Sequence, residues 1–202
     1  MRKIVLWVSL FASLSMLFAC SYSSEEEQLQ LAETQSEVQR VTIVSSGEPA
    51  NVLPAFTSFT WNEDYNKVLS AVDDSSEYEM KSYIRAQLIQ YLATKGYVYQ
   101  ADPMQADVVV GFLFALETDV ADELIQQRFG LLPGLNVDGI DDPRYEKGSL
   151  LLSVMSADLS AVYWRSALQG LVDLEKGIND PSNERMQSIL SMMMGRFPQA
   201  GR

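Results

Sequence analysis

The stretch Val108-Val109-Val110-Gly111-Phe112-Leu113-Phe114-Ala115-Leu116 runs for nine residues without a polar side chain. Nine residues are too few to cross a bilayer as a helix. The run therefore predicts a central strand covered on both faces. Outward toward the amino end, Asp102-Pro103 marks a turn and Tyr97 to Gln100 a short strand. Before them, Met80, Ile84, Leu88, Tyr91 and Leu92 fall on one helical stripe. Asp73-Asp74-Ser75-Ser76 opens that helix, with Ser76 and Glu79 at capping-box spacing, and Gly96 is placed to end it. Further out, Val41-Thr42-Ile43-Val44 and Phe56 to Trp61 read as the first strands. In the second of these Phe59 and Trp61 share one face, Ser58 and Thr60 the other.

Toward the carboxy end, Asp119 to Phe129 reads as a short helix and Gly130 to Gly148 as the longest loop. Ser149 to Ser156 and Ala161 to Leu171 then predict a hairpin turning at Ala157-Asp158-Leu159-Ser160. Leu150, Leu152 and Val154 line one face of its first strand; Val162, Trp164 and Leu168 line one face of its second. Asp180-Pro181 starts a last helix with the stripe Met186, Ile189, Leu190, Met193 and Phe197. This order predicts one α+β domain over residues 41–198, two-layered, with a mainly antiparallel sheet and helices packed on one face.

Composition narrows the function. The chain has 202 residues, 47% hydrophobic and 21% charged, which excludes a disordered or multi-pass membrane protein. A net charge of -12 repels nucleic acid and anionic head groups, so no nucleic-acid partner is expected. With no histidine and one cysteine, the usual general base, zinc ligands and intrachain disulfide are all missing.

The cysteine stands at an informative place. Met1-Arg2-Lys3 precedes an uncharged stretch, Ile4 to Ala19, that ends at Cys20, the layout of a signal peptide over residues 1–19. Leu17-Phe18-Ala19-Cys20 resembles the lipobox of bacterial lipoproteins. That resemblance implies a diacylglycerol on the Cys20 thiol and a membrane anchor through the amino-terminal lipid; several acyl chains make it stable. Ser21, in place of aspartate, implies the outer membrane, with the domain facing the periplasm. Residues 20–40, rich in Glu, Gln and Ser, read as the lipidated cysteine and an acidic flexible tether.

A wider pattern runs through the domain. Tyr145-x-x-Gly148-Ser149-Leu150, Asp158, Val162-Tyr163-Trp164-Arg165, Ile189-Leu190 and Phe197-Pro198 follow Phe59-Thr60-Trp61, Lys95-Gly96-Tyr97 and Ala106-Asp107-Val108-Val109-Val110. In that order they resemble the bacterial envelope lipoproteins of the domain-of-unknown-function 4136 family. The resemblance covers about residues 41 to 198 and departs from the family pattern at Ser149, Ser153 and Ser166. It implies a two-layer α+β fold and an envelope location, and supplies no activity.

Few residues offer chemistry. Glu63-Asp64, Asp73-Asp74 and Asp141-Asp142 are paired carboxylates, but a hydrolase needs two across a cleft with one pKa raised; adjacent acids in polar loops more often cap and solvate. Asn136, Asp138, Asp141, Asp142 and Glu146 gather oxygen donors without the spacing of a calcium loop. Met192-Met193-Met194 with Met186 could be a thioether site, though helix packing already claims Met193. No catalytic residue, cofactor or metal is therefore assigned, and the chain is expected not to be an enzyme. The best local hint is Phe129, Leu131, Leu132 and Leu135, large apolar groups among glycine and proline breaks, which either tuck onto their own domain or offer a patch to an envelope protein partner, whose contact surface is then the loop from Phe129 to Ile140 or an exposed sheet edge. The competing expectation is a small-molecule or lipid-binding module with an apolar cavity between sheet and helices, rimmed by Tyr91, Trp61 and Trp164.

Overall fold

The computed structural model describes residues 41–48, 52–69, 74–116, 123, 126–127, 134–138, 140, 142–174 and 184–202. The signal segment 1–19, the tether 20–40 and most of the helix expected at Asp119 to Phe129 lie outside them, as does the cap Asp180-Pro181. In chain order the elements are β1 (Val41–Gly47), β2 (Ser58–Leu69), α1 (Asp74–Thr94), β3 (Val98–Tyr99), a 3-10 turn (Pro103–Gln105), β4 (Val108–Leu116), β5 (Tyr145–Ser156), β6 (Val162–Asp173) and α2 (Glu184–Met194).

The strands form one six-stranded open sheet in the order β1-β6-β5-β4-β2-β3. The β1–β6, β6–β5 and β5–β4 pairs are antiparallel; β4–β2 and β2–β3 are parallel. The sheet is thus mixed: three of its five pairings are antiparallel, and the two parallel ones, both made by β2, are what the expectation did not include. The physical reason is the connection: β2 reaches β4 through α1, and a helical crossover returns the chain in parallel.

Val108–Leu116 is the central strand β4, and all nine of its residues are buried. Alternation sends Val108, Val110, Phe112, Phe114 and Leu116 to one face, where they meet the α1 stripe and Leu190 and Met193 of α2 in the main core. Ile84, Leu88, Leu92 and Leu190 are at most 1% exposed, each worth about 1.5–3 kcal/mol of burial. Leu113 goes to the opposite face, where it packs with Leu151 and Ala167.

Three local expectations shift. The second strand continues past Trp61 to Leu69, because its register with β4 breaks between Trp61 and Asn66 and the polar residues in between bulge out. Asn66 then re-enters fully buried and its Oδ1 accepts the Phe112 N–H at 3.1 Å. In β6 the register shifts so that Val154 faces Trp164 while Met155 faces Val162. The extra residue, Tyr163, packs on the main core in the place expected for Val162. The first helix begins at Asp74, so Ser76 lies within its first turn and not before it.

Candidate functional site

Lys95-Gly96-Tyr97 follows α1 directly. Gly96 has φ +89, the left-handed conformation that favours glycine, and the Tyr97 and Gly96 N–H groups donate to the Leu92 and Ala93 carbonyls. That pair of bonds is a Schellman stop. It swings Lys95 under the carboxy end of α2, where its Nζ donates to the Phe197 carbonyl at 2.6 Å and the Gly195 carbonyl at 3.4 Å. A cation suits this negative helix end. Burial lowers the Lys95 pKa and pushes the Tyr97 hydroxyl up to about 12; Tyr97 donates to the Pro198 carbonyl at 3.2 Å.

Around these bonds the rings close. Phe197 stacks on Tyr97 at 5.6 Å and on Phe56 at 5.9 Å, and meets Trp164 edge-on at 5.9 Å. The Trp164 Nε1 donates to the Met193 carbonyl at 3.3 Å. A Cβ on Gly47 would collide with the Trp164 ring, so β1 ends at glycine where it crosses the indole. The residues carrying the family pattern here, Lys95, Gly96, Tyr97, Trp164, Phe197 and Pro198, thus hold one another.

The carboxylates are likewise engaged. Asp107 Oδ2 accepts the N–H groups of Thr57 at 2.8 Å and Ser58 at 3.0 Å and both hydroxyls, tying the start of β2 to β4; these bonds lower its pKa. Glu63 bridges Lys81 at 2.8 Å and Arg85 at 2.6 Å, and those bonds lower its pKa. In the β5–β6 turn Asp158 accepts from Ser156 and Ser160, which lower it to about 2. All three are held ionised, the opposite of the shift a general acid needs. In the acidic loop Asn136 accepts the Asp138 N–H and Asp142 the Arg144 N–H, which are turn contacts. Among the described residues no three His, Cys, Asp or Glu side chains converge on a metal position.

Of the residues singled out in the sequence, Cys20, Phe129, Leu131 and Leu132 lie outside the described residues. Leu135 is half-buried, and its N–H donates at 2.9 Å to Oε1 of Gln169, a fully buried side chain that also donates to Ser149. The end of the apolar loop is therefore fastened to the sheet face opposite the helices. Gln169 and Ser149 sat in a hydrophobic alternation and gave no sequence signal beyond being polar. The proposed cavity rim is packed: Tyr91 and Trp164 belong to the core, and Trp61 sits among Phe59, Tyr99 and Phe112 with Arg85 over its ring. Met186, Met193 and Met194 are core residues, whereas Met192 is exposed.

These features define an α+β domain built on an open mixed sheet and locked at one end by rings and helix-capping bonds. The chain belongs to the DUF4136 family, a domain of unknown function, whose model matches residues 44–199. A crystal structure of a DUF4136 family protein from Bacteroides thetaiotaomicron is similar at TM-score 0.50 and 12% identity, covering 80% of this chain and 98% of that one. It supports the fold alone. A PelC dodecamer from Paraburkholderia phytofirmans is similar at TM-score 0.44 and 13% identity, covering 81% of this chain and 100% of that one. Lipoprotein GNA1162 from Neisseria meningitidis stands at TM-score 0.34 and 11% identity, covering 69% and 96%. No curated protein sequence matches the chain.

Proposed function

We infer that the chain is a non-catalytic domain, anchored in the outer membrane by a lipid on Cys20, that binds another protein of the cell envelope from the periplasmic side. The observation that carries the non-catalytic part is the use of the family-pattern residues: Lys95, Tyr97, Asp107, Asp158, Trp164 and Phe197 are all spent on internal bonds and ring contacts. The contact surface is the apolar loop around Phe129, Leu131, Leu132 and Leu135. At the end of that loop the Leu135 N–H bonds buried Gln169, which supports a contact surface adjoining the sheet face opposite the helices.

Crosslinking in intact cells, followed by capture from membranes, is expected to recover an envelope protein. The Leu131→Asp, Leu132→Asp double variant is expected to lose it while keeping its circular dichroism spectrum. Unchanged recovery removes the loop from the reading. A lipid copurifying in native mass spectrometry, with no protein captured, replaces it by the ligand-binding alternative. Mass spectrometry of the mature amino terminus tests the anchor: an intact Met1 or an unmodified Cys20 refutes it.

A further inference from the structure

The sheet face opposite the helices is covered too. β4, β5 and β6 send Leu113, Leu151 and Ala167 to that face, and these are 6%, 2% and 1% exposed. Val109, Ala115, Ser149 and Ser153 on the same face are buried as well. Side chains on a bare sheet face stand in water, so a layer lies over these. It is neither α1 nor α2, because every buried apolar residue of both helices belongs to the core on the first face. Among the described residues only the rim of the layer is placed. A Cβ on Gly111 would meet the Tyr65 Cβ at 2.9 Å, so Tyr65 of the β2 bulge lies over one end of the face. Leu69 packs on Leu113, Leu151 and Ala167 from the β2 side, and Leu135 bonds Gln169 at the other end.

This burial exists within a single chain, so the cover is a stretch of the same chain. Both ends of one such stretch are placed. Leu116 ends β4 opposite Gly148, Gly148 pairs with Gly170, and Gly170 adjoins the Gln169 that holds Leu135. Two strand spacings separate these ends, about 10 Å. Residues 117–134, which join them, reach roughly 60 Å when extended. The surplus is enough to cross the face and return. Leu113, Leu151 and Ala167 stand level with one another, three residues in from Leu116, again about 10 Å. Within the joining stretch Glu123, Gln126 and Gln127 are helical and exposed, and Gln127 Nε2 donates to Glu123 Oε1 at 3.0 Å. Their spacing marks one side of a helix as facing water. On a helix of that phase the sequence sets Leu124 and Ile125 away from this side. The acidic tether is the weaker occupant: after Tyr22 its large apolar residues are Leu29, Leu31 and Val38, which share no helical stripe.

We propose that the stretch between β4 and Leu135 docks on the second sheet face of its own domain, with Leu124 and Ile125 seated over Leu113, Leu151 and Ala167. The domain then has three layers, helices, sheet and this cover. The contact is separate from the partner surface at Phe129 to Leu135 and survives if that surface fails. The test uses the full lipidated chain in detergent, with a maleimide as probe and the native chain giving the background rate. An Ala167→Cys thiol is expected to react about a hundredfold more slowly than in urea. Adding Leu124→Asp and Ile125→Asp is expected to speed the reaction about tenfold with the circular dichroism spectrum kept, whereas Gln126→Asp with Gln127→Asp leaves it unchanged. A thiol that reacts freely without those changes overturns the proposal, as does protection that persists with them. Protection that is lost instead on Leu29→Asp with Leu31→Asp assigns the face to the tether and overturns it too. A second measurement does not depend on the aspartates being tolerated. Under mild oxidation Leu124→Cys or Ile125→Cys is expected to close an intrachain disulfide with Leu151→Cys, and Gln126→Cys none. No link at either position, equal linking by Gln126→Cys, or links only between chains overturns the proposal.

Discussion

The two edges of the sheet are built differently. On one side β3 contributes only Val98–Tyr99, and β2 beyond it bulges between Trp61 and Asn66, carrying exposed Glu63, Asp64 and Lys67. A short outer strand, a bulge and charges are the devices that stop a sheet from recruiting another strand. On the other side β1 is straight and uncharged over seven residues. Among the described residues, then, the β2–β3 edge is closed by its chemistry, whereas the β1 edge carries none of those devices.

The harshest way to break this contrast is to remove what the two edges share. Both end on the ring cluster, β1 through Gly47 on Trp164 and β3 through Tyr97 on Phe197. Phe197→Ala is expected to cost about 3–5 kcal/mol in urea unfolding and to loosen both edges together. Alkaline pH acts next, and on the β3 side. The Tyr97 pKa is raised from 10.0 to about 12, so its contribution is complete below pH 10 and is lost as pH rises through 10 toward 12. The loss is on the order of 2–3 kcal/mol, and Tyr97→Phe is expected to flatten that part of the stability profile.

Gly47→Ala sharpens the comparison from the β1 side. Its methyl group meets the indole of Trp164, so about 1–3 kcal/mol is expected to be lost, with faster hydrogen exchange in β1 and none added at the β2 bulge. The smallest effect belongs to the bulge. Glu63→Ala removes bridges to Lys81 and Arg85 made by a side chain 69% exposed, so less than about 1 kcal/mol is expected, shrinking further in high salt.

Much of the fold was legible because periodicity and burial agreed. Val108 to Leu116, the stripe from Met80 to Leu92, the Gly96 stop and the turn at Asp158 all stand where the residues put them. The second strand was read to end at Trp61, and alternation failed at Tyr163, in both places because a bulge inserts residues without changing composition. Strand direction was hidden too, since the residues of β2 fit a parallel neighbour as well as an antiparallel one. For the site, sequence pointed to the right residues for the wrong reason. Lys95, Tyr97 and Phe197 carry the family pattern, yet only tertiary structure shows that one caps the helix end that another closes. The unbroken apolar run of β4 pointed to a covered second sheet face, but the role of polar Gln169 there became readable only once Leu135 was seen to donate to it.

The bond from Lys95 to Phe197 has a kinetic side. It joins residues 102 positions apart, and Tyr97 to Pro198 spans 101. Closing such long loops costs entropy before any contact repays it, so rings gathered from this far apart assemble late. Until then the Trp164 indole and the Phe56 ring stand uncovered beside an uncharged strand. The interval before Phe197 docks is when a folding chain most needs protection from its neighbours, and it is set by the same few bonds that make the finished domain firm.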